Sequence, residues 1–525
     1  MADLDLSSTI ARTSRSYDAL PYTSDSFPNT HPALLAAVAR LFALDAAAIG
    51  EARILELGCA LGGNIIPLAA RHPGAAVVGI DISSTQVAAA HARIADLNLT
   101  NIEVRCQNID DLLGTADPPF DYIICHGVYS WVPAPLREAI LRICRQRLSP
   151  RGIAVISYNV LPGWRMLQVL RDCFLLHTSA DDDPHRRVAA ARTLTSFLPQ
   201  ACPQPGPYRD FLAAQAERLP KFPDAYIAHD LLEEVNEPCT VRDFVEAADR
   251  HGLAFLGDSE ISMMIPSSFP PDMAEVVQKF AGGKLLATEQ YIDIVSGRTF
   301  RYTLLVGTER AASIDRTLSN GRLEGLHFLG RADLVLRREA DGATLEAPNG
   351  RKLRIASASL ADALAGFIAR FPSSSSVDDL VEALPAAQRD AGGRAQVRGA
   401  LLQLVMHGLA TPRTEPVRTA ARAGRRPIAC PVARVDGARG APSTVNLRHE
   451  RVEQGKLANI VLPLLDGTRD LGALSAAVAE AARDGRITVA RNGLPVADPG
   501  ERKRIASENV AALLPMLARA ALLRE

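Results

Sequence analysis

Apolar and polar positions fall in blocks over roughly the first third of the chain, each block the size of one strand or one helix. The run Ala52-Arg53-Ile54-Leu55 leads into a glycine-rich turn, Glu56 to Asn64, and a second apolar run, Ile65 to Ala70, leaves it. A buried strand, a glycine turn and a helix make the first unit of a parallel crossover fold. The pattern then repeats. Ala76-Val77-Val78-Gly79-Ile80 is a second strand ending on Asp81, and Thr85 to Leu97 reads as its helix. Ile102 to Arg105, Phe120 to Cys125 and Ile153 to Ser157 supply strands three to five. An amphipathic helix from Val241 to His251 closes at Gly252 and enters Leu253 to Leu256, while Thr299 to Val306 alternates and is rich in β-formers. These two segments are expected as strands six and seven, antiparallel at one edge of the sheet. The fold class is therefore α/β, a doubly wound, Rossmann-like seven-stranded sheet with helical insertions over roughly 165–238 and 266–298.

Beyond residue 307 the pattern changes to short β-like stretches, Leu334 to Leu336 and Lys352 to Ile355. Three helices follow: Ser357 to Arg370, Val377 to Leu384 and Gln396 to Leu409. Three short helices flanked by β segments predict a winged-helix-like domain. The organisation expected is an N-terminal arm over 1–50, strands one to five over 51–165, and an inserted module over 166–306 around strands six and seven. A winged-helix-like domain over 307–412, an arginine-rich linker over 413–448 and a helical region over 449–525 complete it.

Composition narrows the function. With 525 residues and 47% hydrophobic content, the chain is long enough for two to four globular domains. A formal net charge of -1 supplies no global field for nucleic acid or acidic membranes. The segment Arg413 to Arg448 holds eight arginines, but no aromatic that could stack on a base, so nucleic acid is disfavoured as a partner. No apolar run approaches the ~20 residues of a membrane span. The start Met1-Ala2-Asp3-Leu4-Asp5 lacks the pattern of a signal peptide, and the eight cysteines form no C-x-x-C pair or metal-spaced cluster. A cytoplasmic protein with reduced thiols and no metal is expected.

The turn carries the chemistry. An acid, Glu56, stands at its entrance, where it would repel a pyrophosphate, so a cofactor with a cationic or neutral centre fits better than a dinucleotide. Gly58, Gly62, Gly63 and Asn64 would line its close approach, with Ala60 in place of the middle glycine. Asp81, at the tip of strand two and ~20 residues on, is placed for ribose hydroxyls, with Ile82 beside it. Asn108 and Ile109 could read and cover an adenine. Past strands four and five lie His126-Gly127-Val128-Tyr129-Ser130-Trp131 and Tyr158-Asn159-Val160-Leu161-Pro162-Gly163-Trp164, which carry both tryptophans of the chain. His126, Tyr129, Trp131, Tyr158, Asn159 and Trp164 are the candidates for the reacting centre. Tyr22, in the aromatic arm, is the candidate for closing the site.

The pattern E-x-G-x-x-x-G resembles the first motif of class I S-adenosylmethionine-dependent methyltransferases. The strings SYDALPYTSDSFPNTHP, ELGCALGGN, FDYIICHGVYSWVP and SYNVLPGW resemble bacterial methyltransferases with a methyltransferase regulatory domain, a family that includes rickettsial protein-lysine methyltransferases acting on outer-membrane protein. The resemblance runs nearly end to end. It implies S-adenosyl-L-methionine as cofactor and a protein substrate, such as an outer-membrane or surface protein, with lysine as acceptor. A small-molecule acceptor and a cofactor-binding adaptor both stay open, as does the oligomeric state. Asp81→Ala is expected to weaken cofactor affinity in calorimetry; unchanged affinity would remove Asp81 from the site.

Overall fold

A computed structural model describes residues 15–21, 25–181, 183–340, 342–348, 350–491, 494–496 and 498–525. Its central sheet has strands β1 (Arg53–Leu57), β2 (Ala76–Asp81), β3 (Ile102–Cys106), β4 (Phe120–Cys125), β5 (Leu148–Asn159), β6 (Leu253–Asp258) and β7 (Phe300–Gly307), in the order β3-β2-β1-β4-β5-β7-β6. β1 to β5 pair in parallel, and β7 runs antiparallel to both β5 and β6. Both faces of the parallel strands are covered, so neighbouring residues on one strand enter different cores. Ile54, Val77, Ile124 and Val155 pack on one side, and Leu55, Val78, Ile123 and Ala154 on the other. This explains the unbroken apolar runs of the sequence.

The switch point lies between β1 and β4, the two neighbours whose crossovers leave in opposite directions, and it opens the crevice at their carboxyl ends. Helices Arg165–His177, Pro184–Ala201 and Pro207–Arg218 stand outside the sheet with a core of their own, built on Leu170, Phe174, Val188 and Leu231. Leu20 of the arm packs against it. A second helical pair, Pro271–Ala281 and Leu285–Ser296, fills the excursion from β6 to β7. Arg301 on β7 fastens that pair to the sheet: it is fully buried and bonds the carboxylates of Asp293 and Glu289.

Several expectations need correction. Within the expected N-terminal arm, helix Pro32–Leu41 is buried all round except at Arg40, its one exposed residue. The far half of the chain covers its outer face: the Thr414 amide donates to the Ala33 carbonyl. The segment 307–412 does place helices Ala358–Ala369, Val377–Glu382 and Ala391–Met406 beside a small sheet of β8 (His327–Gly330), β12 (Ser375–Ser376) and β13 (Ala410–Arg413), with a second sheet of β9 (Val335–Glu339), β10 (Gly342–Glu346) and β11 (Lys352–Ile355). Its core is continuous with one face of the large sheet, through Phe328, Phe367 and Leu401.

Residues 413–448 are not a solvated linker. Arg413 and Arg448 are buried, and the segment contains helix Pro431–Ala438 and strand β14 (Ser443–Val445). Arg448 donates to the carbonyls of Pro372 and Gly330, and the exposed Arg439 pairs with Asp96 of the sheet domain, while Arg418, Arg422, Arg425 and Arg426 are exposed. β15 (Arg451–Glu453), helices Leu471–Arg483 and Pro499–Arg519, and a core on Ala433, Leu474 and Leu517 follow. Among the described residues no helix is long and apolar enough to cross a membrane.

Gly163, between β5 and the first inserted helix, lies against the chain leading into β7, where an added Cβ would sit 2.2 Å from the Arg298 carbonyl oxygen. Backbone cannot yield there as a flexible side chain can. Gly163→Ala should cost about 1–3 kcal/mol in thermal unfolding, while Gly50→Ala, with nothing within 4 Å of the new carbon, should be nearly silent.

Candidate cofactor and acceptor site

A cavity of about 360 Å³ occupies the crevice, within the range of small-molecule sites. Glu56 and the turn form its floor, Asp81, Ile82, Asn108 and Ile109 one wall, and His126, Trp131, Phe300 and Tyr302 the opposite wall. Tyr17, Asp25 and Phe27 reach in from the arm. The turn is shaped by two left-handed glycines. Gly58 (φ +75°) has Val128 Cγ2 2.5 Å from where a Cβ would stand, and Gly62 (φ +72°) has Ile66 at 2.7 Å. Ala60 takes φ +48°, so the substituted middle position carries a strained left-handed alanine.

Glu56 is buried, and burial is the main cause that pushes its carboxyl up to about 8, against the lowering effect of a hydrogen bond from Asn64 Nδ2 to Oε1 at 2.8 Å. Oε2 has no partner within the protein. Asp81 accepts the amides of Ala60 at 2.8 Å and Ser83 at 2.9 Å; burial still raises its pKa. Gln86, which was not anticipated, lines the same cavity fully buried, with both side-chain amide atoms unpartnered. Among the described residues no lysine or arginine lines the cavity. Two carboxyls, an unsatisfied buried acceptor and an open amide fit a ligand with hydroxyls and a cationic amino-acid end. They do not fit a pyrophosphate.

His126 is clamped between Phe27, at 3.7 Å between ring centroids, and Tyr302, at 5.4 Å and parallel. Burial lowers its pKa to about 3, so the ring is neutral at physiological pH. Its Nδ1 lies 2.9 Å from Ser157 Oγ, which already accepts the Gly127 amide. Ser157 Oγ keeps a second lone pair and its own hydrogen, so this bond forms with the ring proton on either nitrogen. With the proton on Nε2 that nitrogen is a donor; with it on Nδ1, Nε2 is an acceptor.

The remaining candidates divide between the cavity and the core. Trp131 lines the cavity, edge-on to Trp164 and beneath the Arg171 guanidinium. Tyr129 and Tyr158 do not face it: they pack with Phe244 in the core on one side of the sheet, and the Tyr158 hydroxyl bonds Thr303. Asn159 is buried within β5, with its backbone N–H donating to Ser130 Oγ. Trp164 is buried, with its indole nitrogen donating to Asn236. Of the aromatic candidates from these tips Trp131 lines the cavity, where Phe27, Phe300 and Tyr302 join it. Gly62, Gly63 and Asn64 belong to the turn, and Asn64 reaches the cavity. Tyr22 lies outside the described residues.

Tyr17 stacks on His229 at 4.2 Å, and His229 and Asp230 bring the inserted module to the mouth. His31, His72 and Glu415 gather ligand atoms within 4.8 Å of one another elsewhere, but Arg413 Nη2 is 2.8 Å from His31 Nε2, so a cation there would meet a guanidinium.

The Glu56 carboxyl makes stability depend on pH with a definite sign. Unfolded, it ionises near its usual 4.5; folded, near 8. Between those values the folded chain holds the proton more tightly, so stability falls as pH rises and levels off above about 8. Glu56→Gln should therefore gain melting temperature relative to the parent chain between pH 5 and pH 9, and a pH-independent difference would contradict the burial argument.

Similar proteins share this architecture. The description "Methyltransferase domain" matches residues 54–152, "Predicted methyltransferase regulatory domain" 223–307, and "PKMT, C-terminal winged helix domain" 425–522. The last falls where part of an arginine-rich linker and a helical region were expected. The chain is 39% identical to the Rickettsia prowazekii protein RP789 over 317 residues, 60% of this chain and 56% of that one. It is 34% identical to RP028 of the same organism over 236 residues, 45% of this chain and 94% of that one. It thus spans only about half of the first relative's length. Among solved structures, PKMT2 from Rickettsia typhi matches with a TM-score of 0.81 and 25% identity, covering 96% of this chain and 100% of that one. PKMT2 in complex with AdoHcy matches with the same score and coverage at 26% identity. The chain belongs to the class I S-adenosylmethionine-dependent methyltransferases that carry a methyltransferase regulatory domain.

Proposed function

We propose that the chain transfers a methyl group from S-adenosyl-L-methionine to a protein side chain, with lysine as the acceptor. The observation that carries the reading is the division of the cavity into a turn lined by Glu56, Asp81 and Gln86 and an aromatic half, with Asp25 and Asp230 at its lining. The likeness to PKMT2 over nearly the whole chain supports it. When bound, the cofactor supplies an electrophilic methyl carbon.

The chain supplies position and a dry environment. Glu56 Oε2 would accept from the amino-acid end, Asp81 from the ribose, and Ile82, Asn108 and Ile109 would hold the adenine. Phe27, Trp131, Phe300 and Tyr302 exclude water around the acceptor. Removing water from a lysine amine lowers its pKa from about 10.4 and favours the nucleophilic neutral form. The same rings favour the methylated cation by about 0.5–2 kcal/mol. His126, neutral and held by Ser157, would position the cofactor or acceptor. Alignment of the two reactants could contribute roughly 7–11 kcal/mol of barrier reduction.

Incubation with methyl-labelled S-adenosylmethionine and cell lysate, followed by separation, should place label in protein on lysine. Label confined to small molecules would overturn the acceptor assignment. Trp131→Ala should reduce turnover at least tenfold, an estimate of about 1.4 kcal/mol in the barrier, while leaving cofactor affinity within about twofold. The reverse pattern would move Trp131 into the cofactor pocket.

A further inference from the structure

Asn64, at the exit of the turn, is almost wholly buried and uses every hydrogen-bonding position of its amide. Nδ2 donates to Glu56 Oε1 at 2.8 Å and to Thr30 Oγ1 at 3.1 Å. Oδ1 accepts the Phe27 amide at 3.0 Å and faces His449 Nε2 at 2.8 Å. The Thr30 hydroxyl hydrogen is directed to the Phe27 carbonyl, so it does not compete for Oδ1. One side chain therefore joins the acid of β1, the N-terminal arm and a residue 385 positions away in the chain.

That distant residue is held for the purpose. His449 is buried in the β14–β15 connection at φ +66°, a left-handed conformation uncommon outside glycine. Asn446 secures the bend: its carbonyl accepts the His449 amide, and its Oδ1 accepts the amides of Arg448 and Glu450. Because an amide oxygen can only accept, His449 Nε2 must carry a hydrogen. The ring packs edge-on against His31, and desolvation together with nearby Arg71, Arg413 and His72 keeps it neutral.

We infer that His449 is a positioning residue for cofactor binding: its Nε2–H fixes the Asn64 amide so that Nδ2, and not Oδ1, faces Glu56. A flipped amide would set an oxygen against the carboxylate and NH2 hydrogens against the Phe27 amide and His449. The segment matched by the C-terminal winged-helix family thereby supports the floor of the cofactor cavity without lining it. The inference rests on reading that cavity as the S-adenosylmethionine site. Glu56 is also faced by Asp81 of β2, the Cys59 thiol of the turn and the Cys125 thiol of β4. None of these three donates a hydrogen bond to the carboxylate, so Asn64 is the protein partner that favours its charged form.

The test is calorimetry of S-adenosylhomocysteine binding to the full chain from pH 6 to pH 9, for the parent, His449→Ala, His449→Leu and His449→Gln. The parent should bind, with affinity falling as Glu56 takes up a proton on the acid side of about pH 8. Loss of the donor in the Ala and Leu variants should weaken binding about tenfold at pH 7.5 and raise the midpoint of the pH profile by about one unit. His449→Gln, which can present an amide N–H, should recover most of both. Weakened binding with no shift of midpoint, or Gln no better than Leu, would reduce His449 to a packing residue and overturn the assignment. If Ala fails to fold, the Gln and Leu pair decides. No binding by a folded parent chain would overturn the cofactor reading itself, and the assignment with it.

Discussion

A carboxyl buried beneath a glycine turn is the constraint on which the rest of the site depends. Glu56 sits at the end of a central parallel strand with one oxygen held by Asn64 and the other unpartnered. A buried acceptor left unmatched costs stability, about 1–3 kcal/mol and more when charged. Such a cost persists where a ligand donor completes the arrangement. The strained Ala60 and the open amide of Gln86 stand in the same cavity, so its departures from ideal structure are concentrated where a cofactor would compensate them.

The far parts of the chain are arranged to hold that point. The arm brings Phe27 over His126, the inserted module brings His229 to Tyr17, and the C-terminal half covers helix Pro32–Leu41 and reaches Asn64 through His449. Buried arginines make much of this junction. Arg413 contacts His31, and Arg448 satisfies two backbone carbonyls, so the two ends of the arginine-rich stretch are internal while Arg418, Arg422, Arg425 and Arg426 between them are exposed. The domains therefore share cores and polar networks; no flexible linker separates the 307–412 segment from the sheet.

The sheet was legible because fully covered parallel strands leave unbroken apolar runs, and because Gly252 and the alternation from Thr299 marked the returning strands. Glu56 and Asp81 were legible as acids at strand ends. The aromatic tips were misread on direction. β5 extends to Asn159, so Tyr158 shares the face of Ala154 and Ile156, and counting by twos from those residues places it in the core. The same count pairs Phe300 with Tyr302, which do line the cavity. His449 and Gln86 had no local signal: one arrives from a distant loop, and the other reads as an ordinary residue of a helix's first turn.

The most direct test of the account is a crystal structure of the chain with S-adenosylhomocysteine. It should show the amino-acid end against Glu56 Oε2, the ribose on Asp81, the base between Ile82 and Ile109, and the sulfur directed toward Phe27, His126, Trp131 and Tyr302. A ligand bound outside this cavity, or one whose charged end points away from Glu56, would contradict the account.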